Sequence, residues 1–482
     1  MDQAERAGRP HAELIPLRVL HVAAELYPWV KTGGLGDVIA ALPSALSAEG
    51  ADVRLCLPGF STLLDAAREH EVARLATPFA VERVRIGLVE LPGVHPPAYI
   101  VDHPAFFDRP GGPYGGPDGG EFADNHRRFA LLGWVAAALA AGADPAWRPA
   151  IVHAHDWHAG LAPAYLRARG GAAKSIFTVH NLAYQGFFGA DIFGELALPR
   201  EFFAMEGVEF YGGVSFLKAG LYYADRLTTV SSTYATEIQT PRYGMNLDGL
   251  LRARSAVLSG ILNGVDPEVW RPAAGGKAPA KAALQRRFGL AEDPSAPLFG
   301  AITRLTPQKG MDLLLAALPG LTGLGAQFVL LGTGDRGLEQ GFASAAGREP
   351  GRVAAELGYD EDLSRLILAG ADVIAVPSRF EPCGLTQLYA LRFGALPLVR
   401  RTGGLADTVV DATPETLADG TATGFAFEDE SAADLLAAAA RAVALYRDQA
   451  AWRRMTRRAT TRDFSWQAAA RQYLALYRGL IG

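Results

Sequence analysis

The feature that most constrains the fold is the regular alternation of short apolar segments with longer helical patterns. The apolar segments have strand length, as in "LRVLHVAAE" and "KSIFTVH", and stretches such as "RFALLGWVAAALAAG" separate them. A short continuous apolar run is typical of a strand that is buried on both faces, as in a parallel sheet covered by helices. The sequence therefore predicts an α/β protein built from doubly wound, Rossmann-like sheets.

The alternation falls into two series, which predicts two domains. The second series follows "ILNGVDPEVWRP" and contains "PLFGAIT", "AQFVLLGTG", "ADVIAVPS" and "ALPLVR". A chain of 482 residues also exceeds one ordinary hydrophobic core. We expect a polar, disordered tail over residues 1–16, an N-terminal domain over 17–262 and a C-terminal domain over 263–457. Ligands of such sheets bind beyond the carboxyl ends of the strands, so a site is expected in a cleft that both sheets face.

Composition excludes several classes of protein. The formal net charge of -5 provides no broad basic field for nucleic acid or for an anionic membrane. The two cysteines, Cys56 and Cys383, are too few for a disulfide framework and are typical of a reducing compartment, so a cytoplasmic location is expected. No run of 18 or more apolar residues is present, so no membrane-spanning helix is predicted.

A glycine-rich segment, "VKTGGLGDVIAALPSAL", follows the first predicted strand and begins a helix. Its glycines expose backbone N–H groups where the helix dipole favours an anion, and Lys31 adds a positive charge. An anion site and a structural turn are both compatible with this pattern. A dinucleotide-binding fingerprint is incomplete, because Gly34 and Gly36 fit it but Ile39 occupies the third position.

Two loops in the second series combine charge with turn residues. "ITRLTPQKG" places Arg304 and Lys309 after a strand, where a guanidinium and an ammonium can hold a diphosphate from two directions, although a solvated basic turn has the same pattern. "PSRFEPCGLTQLYALRFG" places Glu381 before a helix predicted to begin near Gly384. The amides there and the Thr386 hydroxyl suit phosphate, whereas Glu381 suits sugar hydroxyls or, alternatively, a capping bond.

The segment "VHAHDWHAG" in the first series contains three histidines and an aspartate. His153, His155 and His158 lack a further carboxylate or histidine pair to complete a ligand shell, so no metal site is predicted. Asp156 and Trp157 at the end of a strand are typical of carbohydrate binding, in which hydrogen bonds and an aromatic face hold a sugar.

The segment "TVHNLAYQG" places His180 and Asn181 at the end of another strand, where a lone histidine is as often structural as catalytic. The acidic run Asp360–Asp362 is interpreted as a helix cap and not as a metal site. The conjunction of anion loops in both series with carbohydrate-type polar residues indicates a ligand that combines a diphosphate with a sugar. Arg304 and Lys309 would then stabilise the departing diphosphate in place of a metal.

With these motifs assembled, the chain resembles the bacterial glycogen synthases and plant starch synthases, which are retaining glucosyltransferases of the two-Rossmann-domain (GT-B) type. The resemblance extends from about Leu17 to Gly482. It rests on these segments in this order: "KTGGLGDV", "HAHDWHAGLAP", "TVHNLAYQG", "GILNGVD", "TRLTPQKG", "PSRFEPCGLTQLYA" and "RRTGGLADTV".

The resemblance implies transfer of glucose from ADP-glucose to the non-reducing 4-hydroxyl of an α-1,4-glucan such as glycogen, with retention of configuration and without a cofactor or metal. It implies a final helix, within residues 458–482, that packs back on the N-terminal domain. It implies catalytic roles for His180, Asp156, Arg304, Lys309 and Glu381. It implies substrate binding by Lys31, Gly33, Gly34, Asp37, Asn181, Tyr359, Cys383, Gly384, Leu385 and Thr386.

The resemblance also gives individual residues their roles. Glu381 would hold the donor glucose, Tyr359 would stack on the base, and Asn181 would lie near the acceptor. The second "TGGL" segment, with Gly403 and Gly404, is expected to let backbone approach the donor. UDP-glucose as donor, a glucan phosphorylase with pyridoxal phosphate and a non-catalytic glucan-binding protein are the alternatives, and the oligomeric state is left open.

Overall fold

The computed structural model describes residues 16–80, 82–272 and 275–482. The predicted tail over residues 1–16 lies outside the described residues, apart from Pro16. Among the described residues, no helix combines the length and the apolarity that spanning a bilayer requires.

The strands and helices of the described residues alternate along most of the chain. The strands are β1 (Arg18–Val22), β2 (Asp52–Pro58), β3 (Glu71–Leu75), β4 (Val84–Val89), β5 (Ala98–Asp102), β6 (Ile151–His155), β7 (Lys174–Val179), β8 (Phe187–Gly189), β9 (Glu209–Phe210), β10 (Gly213–Ser215), β11 (Arg226–Thr229), β12 (Leu258–Gly260), β13 (Leu298–Ile302), β14 (Gln327–Gly332), β15 (Val353–Leu357), β16 (Val373–Val376), β17 (Leu396–Arg400) and β18 (Phe425–Phe427).

The helices are α1 (Gly34–Ala48), α2 (Ser61–Glu69), α3 (Pro104–Phe107), α4 (Asn125–Ala140), α5 (Asp156–Ala159), α6 (Leu161–Arg169), α7 (Phe216–Tyr223), α8 (Ser232–Glu237), α9 (Asp248–Ala253), α10 (Lys277–Arg287), α11 (Met311–Gly323), α12 (Arg336–Arg348), α13 (Glu361–Gly370), α14 (Thr386–Arg392), α15 (Gly403–Thr408), α16 (Pro414–Asp419), α17 (Ala432–Arg447), α18 (Gln449–Thr460) and α19 (Trp466–Ile481).

The chain packs into two compact units. The first contains the described residues up to Thr178 together with Tyr184–Arg226 and Tyr473–Gly482, and the second contains Val179–Ala183 and Leu227–Gln472. The domain limits expected from the sequence, at residues 262 and 457, remain a prediction.

The first unit is built on a largely parallel sheet with strands in the order β7-β6-β1-β2-β5-β4-β3. β1 pairs in parallel with β2 and β6, so the chain builds outward from β1 in both directions. β6 is buried along its whole length, including its two histidines, His153 and His155. The sequence analysis missed β3 and β4, which extend one edge in antiparallel pairing. The loops after β1 and β6 therefore meet at the switch point of this sheet.

The second unit contains a sheet of six parallel strands in the order β15-β14-β13-β16-β17-β18. Counted along the chain, this is the order 3-2-1-4-5-6 of a Rossmann fold, with its switch point between β13 and β16. Buried apolar residues cover both faces, with α11 and α17 contributing to one layer and α10 and α13 to the other. The predicted strands of the second series are confirmed, and the switch point shows where a ligand site is expected.

Candidate active site

A pocket in the second unit lies at the carboxyl ends of β13 and β16, where the strand order reverses. Five of the predicted site residues line it, from Lys309 in the loop after β13 to Thr386 at the start of α14. The complete lining is Ile302, Thr303, Lys309, Ala375, Val376, Pro377, Ser378, Glu381, Gly384, Leu385 and Thr386. The position agrees with the general rule for ligand sites in open α/β sheets.

Lys309 and Glu381 form an ion pair inside this pocket. Lys309 Nζ lies 2.6 Å from Glu381 Oε2, and the Ser378 hydroxyl donates a hydrogen bond to the same oxygen at 2.8 Å. Glu381 is only 7% exposed. The two charges neutralise each other, so an anionic ligand that attracts Lys309 would leave the Glu381 carboxylate available to other donors.

The turn that carries Lys309 packs closely against the end of β16. Gly310 adopts a left-handed φ of 65°, and a Cβ at this position would collide with the carbonyl oxygen of Pro377. Arg304 lies in the same loop with an exposed side chain. No carboxylate among the residues that the structure describes forms an ion pair with Arg304, so its charge is available to a ligand.

The segment before α14 supplies backbone groups to the pocket. α14 begins at Thr386, two residues after the predicted start near Gly384. Gly384 has a φ of 70°, where glycine is favoured. Burial raises the pKa of the Cys383 thiol to about 12, so this side chain stays protonated. Cys383 would therefore contact a ligand through its backbone.

Tyr359 occupies the loop between β15 and α13 and is 81% exposed. Its ring is therefore accessible for the stacking that the resemblance implies. The adjacent Asp360 accepts a hydrogen bond from the backbone N–H of Leu363 at 2.9 Å. This geometry confirms the interpretation of the acidic run as a helix N-cap.

In the first unit, the glycine-rich loop after β1 leads directly into α1. Lys31 Nζ lies 2.8 Å from Asp37 Oδ1 in a partly exposed pair, which contributes little to stability and can be redirected toward a ligand. A Cβ on Gly33 or Gly34 would meet nothing within 4 Å. Protein packing therefore does not require glycine at these two positions. Close approach of a ligand to the backbone is the explanation that this favours.

A residue that sequence analysis missed, Glu25, fixes this loop. Its carboxylate accepts hydrogen bonds from the backbone N–H groups of Thr32 at 2.9 Å and Gly33 at 3.2 Å, and from the Thr32 hydroxyl. The Tyr114 hydroxyl donates to Glu25 Oε1 at 2.6 Å. The signal available in the sequence was an acidic residue in the segment between the end of β1 at Val22 and the first glycine at Gly33.

Asp156 follows β6 directly and has a strained backbone. Its φ of 54° lies in the left-handed region, which non-glycine residues rarely adopt, and the residue is buried. Such strain persists where the surrounding structure fixes it, and it is common at functional sites. The neighbouring His158 stacks on Tyr114, with ring centroids 4.5 Å apart, and burial lowers the pKa of His158 to about 3.

His180 and Asn181 belong to the short segment of the second unit that follows β7. Burial of the imidazole lowers the pKa of His180 to about 3, so this side chain is neutral at pH 7 and can donate or accept one hydrogen bond at each nitrogen. The Asn181 side-chain oxygen accepts from the backbone N–H of Ala183 at 3.0 Å.

One histidine cluster in the first unit differs from the group considered in the sequence. Within the described ranges, His21, His153 and His155 form the only group of three or more His, Cys, Asp or Glu residues close enough to share a metal ion. His158 lies elsewhere, against Tyr114. His21 Nδ1 is 2.9 Å from His155 Nε2, and His153 Nδ1 is 2.7 Å from the Tyr477 hydroxyl. These nitrogens already take part in hydrogen bonds, and metal independence remains a prediction.

The comparisons with known proteins agree with this geometry. Residues 18–253 match the family model of the starch synthase catalytic domain, and residues 284–459 match that of glycosyl transferases group 1. The fold and the pocket define a GT-B glycosyltransferase.

The relatives narrow this class to one family. The chain is 53% identical to glycogen synthase of Edwardsiella ictaluri over 479 residues, which is 96% of this chain and 100% of that protein. It is also 53% identical to glycogen synthase of Variovorax paradoxus, covering 96% and 98% of the two chains. The protein belongs to the glycogen synthase and starch synthase family.

Solved structures support the same assignment. The catalytic domain of starch synthase IV from Arabidopsis thaliana, bound to ADP and acarbose, superposes with a TM-score of 0.83 at 33% identity and covers 96% of this chain and 99% of that chain. Sucrose-phosphate synthase from Thermosynechococcus elongatus shares the fold alone, with a TM-score of 0.59 at 19% identity, covering 96% of this chain and 99% of that one. The fold class expected from the sequence is confirmed.

Proposed function

We propose that the protein is a glycogen synthase, which transfers glucose from ADP-glucose to the non-reducing 4-hydroxyl of an α-1,4-glucan with retention of configuration. The observation that carries the proposal is the Lys309–Glu381 pair in the pocket at the β13–β16 switch point. A half-buried cation beside a buried carboxylate matches a ligand with a phosphate at one end and sugar hydroxyls at the other.

Donor binding would divide this pair. The diphosphate attracts Lys309 and the unpaired Arg304, and the backbone amides from Gly384 to Thr386 add further donors. Glu381 then accepts hydrogen bonds from hydroxyls of the transferred glucose, while Ser378 keeps its carboxylate oriented. Tyr359 supplies an exposed ring for the base. ADP in the structure of the similar starch synthase IV favours an adenine nucleotide over a uridine nucleotide.

Glucosyl transfer would consist of one exchange of bonds at the anomeric carbon. The bond from C1 to the β-phosphate oxygen breaks, a bond from C1 to the acceptor 4-oxygen forms, and the acceptor proton passes to the departing phosphate. Lys309 and Arg304 stabilise the charge that accumulates on the diphosphate, which is the largest contribution that side chains make to many such reactions. Neutral His180 would serve as a hydrogen-bond partner. Asp156 would contribute a polar side chain.

The wider setting is also a proposal. Both cysteines are buried and free, which fits a reducing cytoplasm. Lys31, Gly33, Gly34 and Asp37 remain predicted substrate-binding residues. The partners are the nucleotide sugar and the glucan, with no nucleic acid and no cofactor.

A direct transfer assay tests this function. Purified protein is incubated with glycogen and either ADP-glucose or UDP-glucose, in EDTA and without added metal, and product is measured as nucleoside diphosphate released and as glucose incorporated. We expect incorporation from ADP-glucose into linkages that an α-1,4-specific amylase cleaves. Release of glucose 1-phosphate from glycogen with inorganic phosphate, together with near-ultraviolet absorbance from pyridoxal phosphate, would instead identify a phosphorylase.

A further inference from the structure

The second "TGG" segment, Thr402–Gly404, supports the loop that carries Glu381. A Cβ on Gly403 would collide with the carbonyl oxygen of Glu381, and a Cβ on Gly404 would collide with that of Cys383. The backbone N–H of Gly404 donates to the Glu381 carbonyl at 3.1 Å. These glycines are therefore required by packing against the loop. The sequence analysis expected them to let backbone approach the donor, and the structure gives them a structural role.

Glu237, at the end of α8, holds this segment from the other side. Its Oε1 accepts a hydrogen bond from the Thr402 hydroxyl at 2.8 Å and one from the backbone N–H of Gly403 at 3.0 Å. Its Oε2 is buried and has no hydrogen-bond partner among the described residues. The carboxylate is thus directed at the segment, which in turn contacts the backbone of Glu381.

Glu237 thus joins α8 to the start of α15, and a second carboxylate joins the same two helices at their opposite ends. Asp407, in α15, accepts hydrogen bonds from the backbone N–H of Thr233 at 3.0 Å and from its hydroxyl at 2.6 Å. α8 and α15 therefore lie antiparallel, and each places a carboxylate at the N-terminus of the other, where the helix dipole favours it. Helices of six residues are not stable alone, so these contacts hold both of them in place.

The two carboxylates differ in how directly they act on the pocket. Glu237 bonds to residues that touch the Glu381 loop, whereas the hydrogen bonds of Asp407 end on α8. The neighbour of Asp407, Thr408, reaches the pocket through the amide of Gln387. We propose that Glu237 is a positioning residue for the donor site, which acts through Thr402 and Gly403 to fix the backbone of the Glu381 loop. This inference rests on the proposed function, because it assigns a role in binding the donor.

The first "TGG" segment has the same arrangement with a different purpose. Glu25 accepts from the Thr32 hydroxyl and the backbone N–H of Gly33, as Glu237 does from Thr402 and Gly403. The glycines of the first segment face open space, whereas those of the second are packed against backbone. A carboxylate anchor is thus common to both segments, and in the second one the anchored backbone supports the Glu381 loop.

The test compares Glu237→Ala with Asp407→Ala by steady-state kinetics on glycogen. Both changes remove two hydrogen bonds between the same helices, so comparable decreases in Tm are expected. For Glu237→Ala we expect the KM for ADP-glucose to rise about tenfold and kcat to fall, as happens when residues that orient a site are lost. The KM for glycogen should stay unchanged. For Asp407→Ala the donor KM stays within about twofold of wild type.

A conservative variant separates position from charge. Glu237→Gln keeps a carbonyl oxygen that can accept from Thr402 and Gly403, so it is expected to restore the donor KM to within about threefold of wild type. Equal donor KM values for the two alanine variants, or an equal rise in donor and glycogen KM for Glu237→Ala, would overturn the inference.

Two further outcomes are distinguishable. If Glu237→Ala does not fold, Thr402→Val replaces it, because this change removes one hydrogen bond to Glu237. A KM for ADP-glucose about threefold higher than wild type supports the inference, and an unchanged KM refutes it. Absence of transfer by the wild-type protein would instead refute the proposed function.

Discussion

Replacing Lys309 by alanine tests both the stability and the chemistry of the pocket. After this change the Glu381 carboxylate, which belongs to a residue that is 7% exposed, keeps the hydrogen bond from the Ser378 hydroxyl. Breaking a buried ion pair by removing one member costs about 3–5 kcal/mol, because an uncompensated charge stays behind. Since the Lys309 side chain is 20% exposed and the Ser378 bond persists, we expect the lower end, about 3 kcal/mol. For a unit of this size that corresponds to a decrease in Tm of roughly 6–12 °C.

The same variant should lose turnover for a separate reason. Removing one group that stabilises developing charge typically lowers kcat by about 100-fold to 1,000-fold. The proposed function assigns this charge to the donor and not to the glucan, so the KM for glycogen should change little. Arg304→Ala removes an exposed, unpaired cation and is expected to lower turnover without lowering Tm.

A double variant separates the two effects. In Lys309→Ala/Glu381→Gln, no buried charge is left unpaired, and the glutamine amide can still accept from Ser378. We expect Tm to return to within a few degrees of wild type while turnover stays at least about 100-fold low. The measurements are thermal unfolding by circular dichroism and initial rates with saturating ADP-glucose. A Lys309→Ala turnover within threefold of wild type, or a double variant as unstable as the single one, would refute the reasoning.

Three further predictions concern glycines, pH and metal. Gly34→Ala should fold with an unchanged Tm but a raised donor KM, whereas Gly403→Ala should be destabilised by its collision with the Glu381 carbonyl; the opposite pattern would contradict the roles assigned to the two segments. In the folded protein the pKa of His158 is about 3, below its unfolded value of about 6.5. Its contribution to stability is therefore complete above pH 6.5 and is lost as the pH falls toward 3. His158→Phe should reduce the fall in unfolding free energy over this range by up to about 1.4 kcal/mol per pH unit. Activity should survive EDTA, and loss that one particular ion restores would show that the diphosphate is held by a metal.

Local sequence patterns were sufficient to predict the fold class of this protein. Buried parallel strands appear as continuous apolar runs, and glycines or charged residues directly after them mark the carboxyl ends where ligands bind. Lys309 and Glu381 were found in this way, each from its own loop. The antiparallel strands β3 and β4 were missed, because charged residues and a glycine interrupt their apolar residues, so their sequences have no such signature.

Pairings across long stretches of chain were decided by the tertiary structure alone. Lys309 meets Glu381 over a separation of 72 residues, and Glu237 meets Thr402 over 165. The strand register places His21, not His158, beside His153 and His155, because β1 and β6 are neighbours in the sheet. The two "TGG" segments look alike in the sequence, yet open space surrounds the glycines of one and backbone packs against those of the other. Whether packing requires a glycine depends on which atoms surround the position of its missing Cβ. Only the folding of the chain brings those atoms to that position.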